Sequence, residues 1–104
     1  MAITASQTGT AIIKVTGTTA TADEILPAGH YYRLLWVHWY LPTTADHKFS
    51  LIDGSDNQIL KGNCVTVKES LWYPCDGTFH NGLFCDDLDS GELYIAVVVG
   101  RKPS

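Results

Sequence analysis

HYYRLLWVHWYL, from His30 to Leu41, lies between Gly29 and Pro42 and is the longest apolar run of the chain. No polar face recurs in it every 3.6 residues, and Leu, Val, Trp and Tyr dominate, so it predicts a β-strand. Twelve residues are too few to cross a bilayer as a helix. Split by the two-residue period of a strand, one face carries Tyr31, Arg33, Leu35, Val37, Trp39 and Leu41, and the other Tyr32, Leu34, Trp36, His38 and Tyr40. Neither face suits water, whereas a strand of a β-sandwich normally turns one face to the core and a polar one outward. The aliphatic face, with Leu35, Val37, Trp39 and Leu41, is therefore expected in the core. The aromatic face, with Tyr32, Trp36, His38 and Tyr40, is expected against a partner, since Tyr and Trp concentrate at the centres of interfaces. The alternative is that the domain covers this strand with its own loops.

The rest of the chain fits one small domain. Its 104 residues suffice for a single core without metal or disulfide staples, and 45% are hydrophobic against 17% charged. A formal net charge of −4 excludes the basic stripe a nucleic-acid binder needs. Met1 to Thr10 shows no basic segment followed by an apolar core, and no stretch reaches membrane-spanning length, so the sequence predicts folding in a reducing cytoplasm without a membrane partner. Three cysteines, Cys64, Cys75 and Cys85, are an odd number and are read as thiols filling apolar positions.

Residues 1–10 are small and polar and are expected to form an N-terminal arm, with a single β-sandwich domain over 11–104. Strands are expected at Ala11 to Thr16, Asp23 to Pro27, the central run, His47 to Asp53, Gln58 to Lys61, Cys64 to Lys68 (Val65 and Val67 inward), Leu71 to Tyr73 and Leu93 to Val99. Gly54 to Asn57 has hairpin-turn composition, Asp76-Gly77 predicts a tight turn, and Asn81-Gly82 signals a sharp reversal. Asp86 to Glu92 would be a polar hairpin tip. The closing strand, apolar on both faces like the central one, is its natural neighbour in mid-sheet. Seven to nine short antiparallel strands without a helix predict an all-β sandwich of jelly-roll or Greek-key type.

No catalytic constellation stands out, and the chain is read as non-enzymatic. Cys64, Cys75, His80 and Cys85 lack the close C-x2-C knuckle of a zinc site, and no nucleophile-bearing turn accompanies any Cys–His pair. Asp86, Asp87, Asp89 and Glu92 do not follow the order of a calcium loop. No phosphate loop is present, and no metal or other cofactor is expected. His38, among aromatics, is a packing residue or, at an interface, a group whose protonation would weaken it. Trp36, Trp39 and Trp72 with the tyrosines also suit a sugar-stacking platform.

Phe79, Asn81, Gly82, Leu83 and Phe84, then Ser90-Gly91, then Ala96 to Arg101, resemble the closing segment of small all-β virion proteins of tailed bacteriophages, and Leu51-Ile52-Asp53-Gly54 is similar to their strand-into-turn segment. The resemblance spans about half the chain, on motifs that many β-sandwiches share. Three cysteines and an unusually aromatic central strand depart from the pattern. The resemblance implies a structural subunit made in the host cytoplasm and built into a virion. It would be a decoration or cement protein sitting as a homotrimer on the major capsid protein, or a neck or tail component. A carbohydrate-binding module is the alternative from a different class.

Overall fold

The computed structural model describes residues 3–7, 12–64, 70–75 and 77–100. They form eight strands: β1 (Ile3–Gln7), β2 (Ile12–Gly17), β3 (Asp23–Tyr40), β4 (Lys48–Ile52), β5 (Gln58–Asn63), β6 (Leu71–Pro74), β7 (Phe79–Leu88) and β8 (Glu92–Gly100). All pairings are antiparallel and no helix occurs among the described residues, so the all-β class expected from the sequence is the architecture observed. Hydrogen bonds join the strands into one sheet of order β1-β2-β8-β3-β7-β4-β5, with β6 beside β3. Laid flat, that seven-strand path would be about 29 Å wide at ~4.8 Å per strand. The molecule measures 44 × 23 × 22 Å, so the sheet curls and closes one face on the core.

β3 is the spine. Its 18 residues would reach about 56 Å at ~3.3 Å each, more than the 44 Å length of the molecule, so it has to bend. It does so at a one-residue register shift at Ile25, between Glu24↔Phe84 and Leu26↔Leu83, and at two further irregularities. In the first of the two, residues 27–30 of β3 stand against the single Gly82 of β7, between the pairs Leu26↔Leu83 and Tyr31↔Asn81. Gly29 and Gly82 both take positive φ, 99° and 76°. The Gly29 N–H donates to Asn81 Oδ1 at 2.6 Å, and the Asn81 carbonyl accepts from the Gly54 N–H at 2.8 Å. Asn81-Gly82 is therefore no chain reversal: its positive φ serves a mid-strand irregularity instead of a turn.

The second irregularity is a β-bulge between Leu34↔Val97 and Trp36↔Ala96, which leaves Leu35 as the extra residue. Across the opposite edge, the Leu34 and Leu35 carbonyls accept from the N–H groups of Gly77 and Cys75. The bulge shifts the alternation by one. Tyr32 and Leu34 point inward before it, and Val37 and Trp39 after it, each at most 1% exposed. This corrects two expectations: Leu35 and Leu41, each 39% exposed, lie outside the core, and Tyr32 lies inside it.

β6 and β7 run one after the other along a single edge of β3, from Trp39↔Leu71 to Asp23↔Cys85, while β8 takes the other edge from Tyr40↔Glu92 to Tyr31↔Gly100. The expected pairing of the closing strand with the central one is thus observed. β7 and β8 flank β3 without pairing, so the segment between them crosses over the end of β3 and is not a hairpin tip; Asp86 and Asp87 belong to β7. The crossing is fastened at Ser90, whose carbonyl accepts from Trp39 Nε1 at 2.8 Å and whose Oγ accepts from the Thr43 N–H and bonds His47 Nδ1 at 2.7 Å. Gly91, φ 78°, is needed beside it, because a Cβ there would sit 2.8 Å from the Tyr40 carbonyl oxygen.

Inside the curl, Trp39, Tyr32, Phe49, Leu51, Leu83, Leu88, Leu93 and Ile95 are fully buried, with Phe49 edge-on to both Trp39 and Tyr73 at 5.0 and 5.3 Å. Residues 3–7 are no arm: they pair with β2 and bury Ile3. Cys64 and Cys85 are core thiols and Cys75 is half-buried, with no disulfide among them. The strand expected at Cys64 to Lys68, with Val65 and Val67 inward, and Asp76 of the Asp76-Gly77 turn lie largely outside the described residues.

Candidate binding face

Beyond the bulge the even positions of β3 turn outward, which aims Trp36, His38 and Tyr40 away from the core together. Register extends this set across four strands. Lys14 of β2 opposes Tyr94 of β8, Tyr94 opposes His38, and His38 opposes Trp72 of β6, so the four side chains form one cross-strand row. The next row is Ile12, Ala96, Trp36 and Pro74. Of the four residues expected to meet a partner, the structure unites Trp36, His38 and Tyr40 and separates Tyr32, whose hydroxyl donates to the Gly82 carbonyl in the core at 2.9 Å. Trp39 likewise leaves the expected sugar platform for the core.

The rings of the face touch one another. His38 stacks on Trp72 with centroids 4.0 Å apart and planes 8° from parallel, and Trp72 meets Trp36 at 5.0 Å. Tyr40 stands edge-on to His38 and to Tyr94. His38 Nε2 is buried without a hydrogen-bond partner, and that burial holds the imidazole below the ordinary histidine range. Neutral stacked rings need no counterion, and Lys14 and Glu92 border them as an ion pair at 3.2 Å, with Lys14 also 5.8 Å from the Tyr94 ring centre. Ile12, Trp36, His38, Tyr40 and Tyr94 wall an apolar depression of about 360 Å³. Ala96, the smallest side chain of its row, stands between Ile12 and Trp36 and is itself buried.

Exposed apolar surface collects here. The large hydrophobic side chains left at least 39% exposed among the described residues are Leu35, Tyr40, Leu41, Trp72, Phe79 and Val98. Each lies on the outward side of β3 and the strands paired with it, or where β3 ends. Trp72 is the extreme at 60%. Sequence reasoning placed neither Trp72 nor Tyr94 on the expected partner surface. Tyr94 was within reach, because Leu93, Ile95 and Val97 share one parity and push it to the other side. Trp72 sits in a four-residue strand with no periodicity to read.

Cys64, Cys75, His80 and Cys85 form no ligand set, and no group of three or more His, Cys, Asp or Glu among the described residues is placed to hold a metal ion. Burial pushes the Cys85 thiol up to about 12, which suppresses the thiolate a nucleophile needs. On the outward side of β7, partial burial and the neighbouring Asp89 push the Asp87 carboxyl up to about 6. Asp89, against the effect of its own partial burial, is held below the usual range by hydrogen bonds from Asp87 and the Lys48 N–H. The Lys48 N–H donates to Asp89 Oδ2 at 3.0 Å and so fastens the β7–β8 crossing to β4, while Asp87 Oδ1 is buried without a hydrogen-bond partner.

No family model, no curated protein and no solved structure is matched by this chain.

Proposed function

We propose that the chain is a non-enzymatic structural subunit that works by assembly, burying the outward face of β3 against another polypeptide. The observation that carries this reading is the gathering of exposed large apolar side chains, Leu35, Tyr40, Trp72, Phe79 and Val98, on the outward side of β3 and the strands paired with it, with Leu41 where β3 ends. Isolated apolar residues scatter over any surface; a contiguous aromatic set that stacks on itself and borders an apolar depression suits an interface. The resemblance to small phage virion proteins supports a place in a virion, as a decoration or cement subunit on the major capsid protein with a homotrimer as the implied form, or in the neck or tail. That placement rests on the sequence resemblance alone.

A second reading is favoured by Trp72: an indole 60% exposed beside an open depression is also how a glycan-binding module presents a stacking surface. Solution mass by light scattering at micromolar concentration separates the two. In an assembly subunit the wild type is oligomeric and Trp36→Ala lowers its mass. In a glycan module the mass stays monomeric in both, and Trp36→Ala instead abolishes retention on a glycan array.

A further inference from the structure

The face carries both halves of a contact with itself, and this step rests on the assembly reading above. Trp72 stands on β6 as a knob, 60% exposed, held on one side by the stack on His38 and touching the Trp36 ring at 5.0 Å. Across β3, toward β8 and β2, lies the apolar depression walled by Ile12, Trp36, His38, Tyr40 and Tyr94. Knob and hole are thus displaced from each other by about two strand spacings, roughly 10 Å, along the same surface. The depression, about 360 Å³, has room for one indole. Its walls are aromatic and aliphatic, the surroundings an indole prefers.

We infer that two copies of this chain pack face to face about a two-fold axis, each inserting Trp72 into the other's depression beside Trp36 and Tyr94. A two-fold lying in the contact plane, parallel to β3 and midway between knob and hole, exchanges the two features and keeps the strands of the two sheets aligned. Such an isologous contact makes each residue's partner reciprocal. A three-fold arrangement needs its two contacting patches on different sides of the subunit, whereas here both lie on one face.

Charge and size select a second copy as the occupant. The chain carries −4 overall, which would set like copies against each other, yet the face shows no excess negative charge among the described residues: Lys14 and Glu92 compensate one another and Arg33 lies over the Phe79 ring. Asp86, Asp87 and Asp89 belong to the β7–β4 side, away from β6 and β2. In projection the whole molecule offers at most about 1,000 Å² along its two longest dimensions, 44 and 23 Å, so a contact of the ~800 Å² per partner usual for a stable specific interface would take up most of one side.

The test is sedimentation equilibrium of the full chain from 1 to 100 µM, with Trp72→Ala and, to fill the hole from its wall, Ile12→Trp, each checked for a cooperative thermal transition. The wild type is expected at twice the 11.4 kDa of one chain. Each variant is expected to weaken the dimer at least about thirty-fold, as loss of a buried aromatic anchor does. An equimolar mixture is expected to associate more tightly than either variant alone, because one knob and one hole remain intact across the mixed pair. A wild-type trimer, or a dimer indifferent to both variants, overturns the reciprocal insertion and leaves the assembly reading standing. A wild-type monomer at 100 µM overturns self-association altogether, so that only a different polypeptide remains as the partner.

Discussion

Tyr32 and Tyr40 sit on one strand, eight positions apart, and have opposite fates. Parity alone would place them on the same face. The extra residue at Leu35 leaves Tyr32 in the core, with its hydroxyl bound to the Gly82 carbonyl, and Tyr40 in the open. Burial raises the Tyr32 phenol's pKa further, so it stays a neutral donor. Asp87 shows environment deciding chemistry at a second site. Its carboxyl, raised to about 6, holds a proton in the folded chain that the unfolded chain releases near 4. A raised pKa contributes stability that is fully present below the unfolded value and is lost as pH rises through the folded one. Asp89, lowered, works in the opposite sense and matters only at more acidic pH. The Asp87 contribution is therefore expected to lower the melting temperature as pH rises from about 4 through 6, while His38, lowered by burial, contributes in the opposite sense whether or not Asp87 is present. Asp87→Asn, which keeps a hydrogen-bond donor toward Asp89 at every pH, is expected to flatten that slope. Calorimetric melts across the range check it, and an equally steep slope in the variant would refute the assignment.

At the scale of the element, most strands were legible because their alternation is simple. Phe49 and Leu51 point inward and Lys48 outward in β4 as the sequence alone indicates, and Gly54 to Asn57 turns the chain into β5. What could not be read were events that depend on a neighbour. The bulge at Leu35 leaves no mark in a run that is apolar on both faces, so a face split that assumes strict alternation assigns Leu35 and Tyr32 to the wrong sides. Asn81-Gly82 advertises positive φ, and only the strand across from it decides between a turn and an irregular pairing. Residues 3–7 look like an arm because their single large apolar side chain, Ile3, is given its burial by β2. The bulge makes a specific expectation. Deleting Leu35 removes the extra residue without changing which later side chains face inward, so the protein is expected to stay folded with a lower melting temperature, having lost the bend and the bond from the Cys75 N–H. Deleting Val37 instead turns His38 and Tyr40 into the core and Trp39 out of it, and is expected to abolish the cooperative transition. Near-ultraviolet circular dichroism with thermal melts separates the two, and equal damage from both deletions would contradict the bulge.

For the molecule as a whole, charge and apolar surface are segregated. The acids of β7 and of the β4–β5 turn take up water on one side, while the stacked rings of β3, β6 and β8 occupy the other with one compensated ion pair at their border. An interface formed by that second side owes its free energy to removing apolar area from water, with little direct Coulombic attraction to be screened. What salt does screen is the repulsion between two chains of net −4. Raising salt from 50 to 500 mM is therefore expected to leave the association constant unchanged or to raise it by no more than about threefold. A contact formed instead through Lys14, Arg33 or the acidic side would weaken by about tenfold or more over the same range. Dilution isotherms at the two salt concentrations read this directly. The same isotherms taken at several temperatures should give a negative heat-capacity change on association, because what leaves water is aromatic and aliphatic surface. A marked salt-induced dissociation, or a heat-capacity change near zero, would show that the chain assembles through some surface other than the outward face of β3.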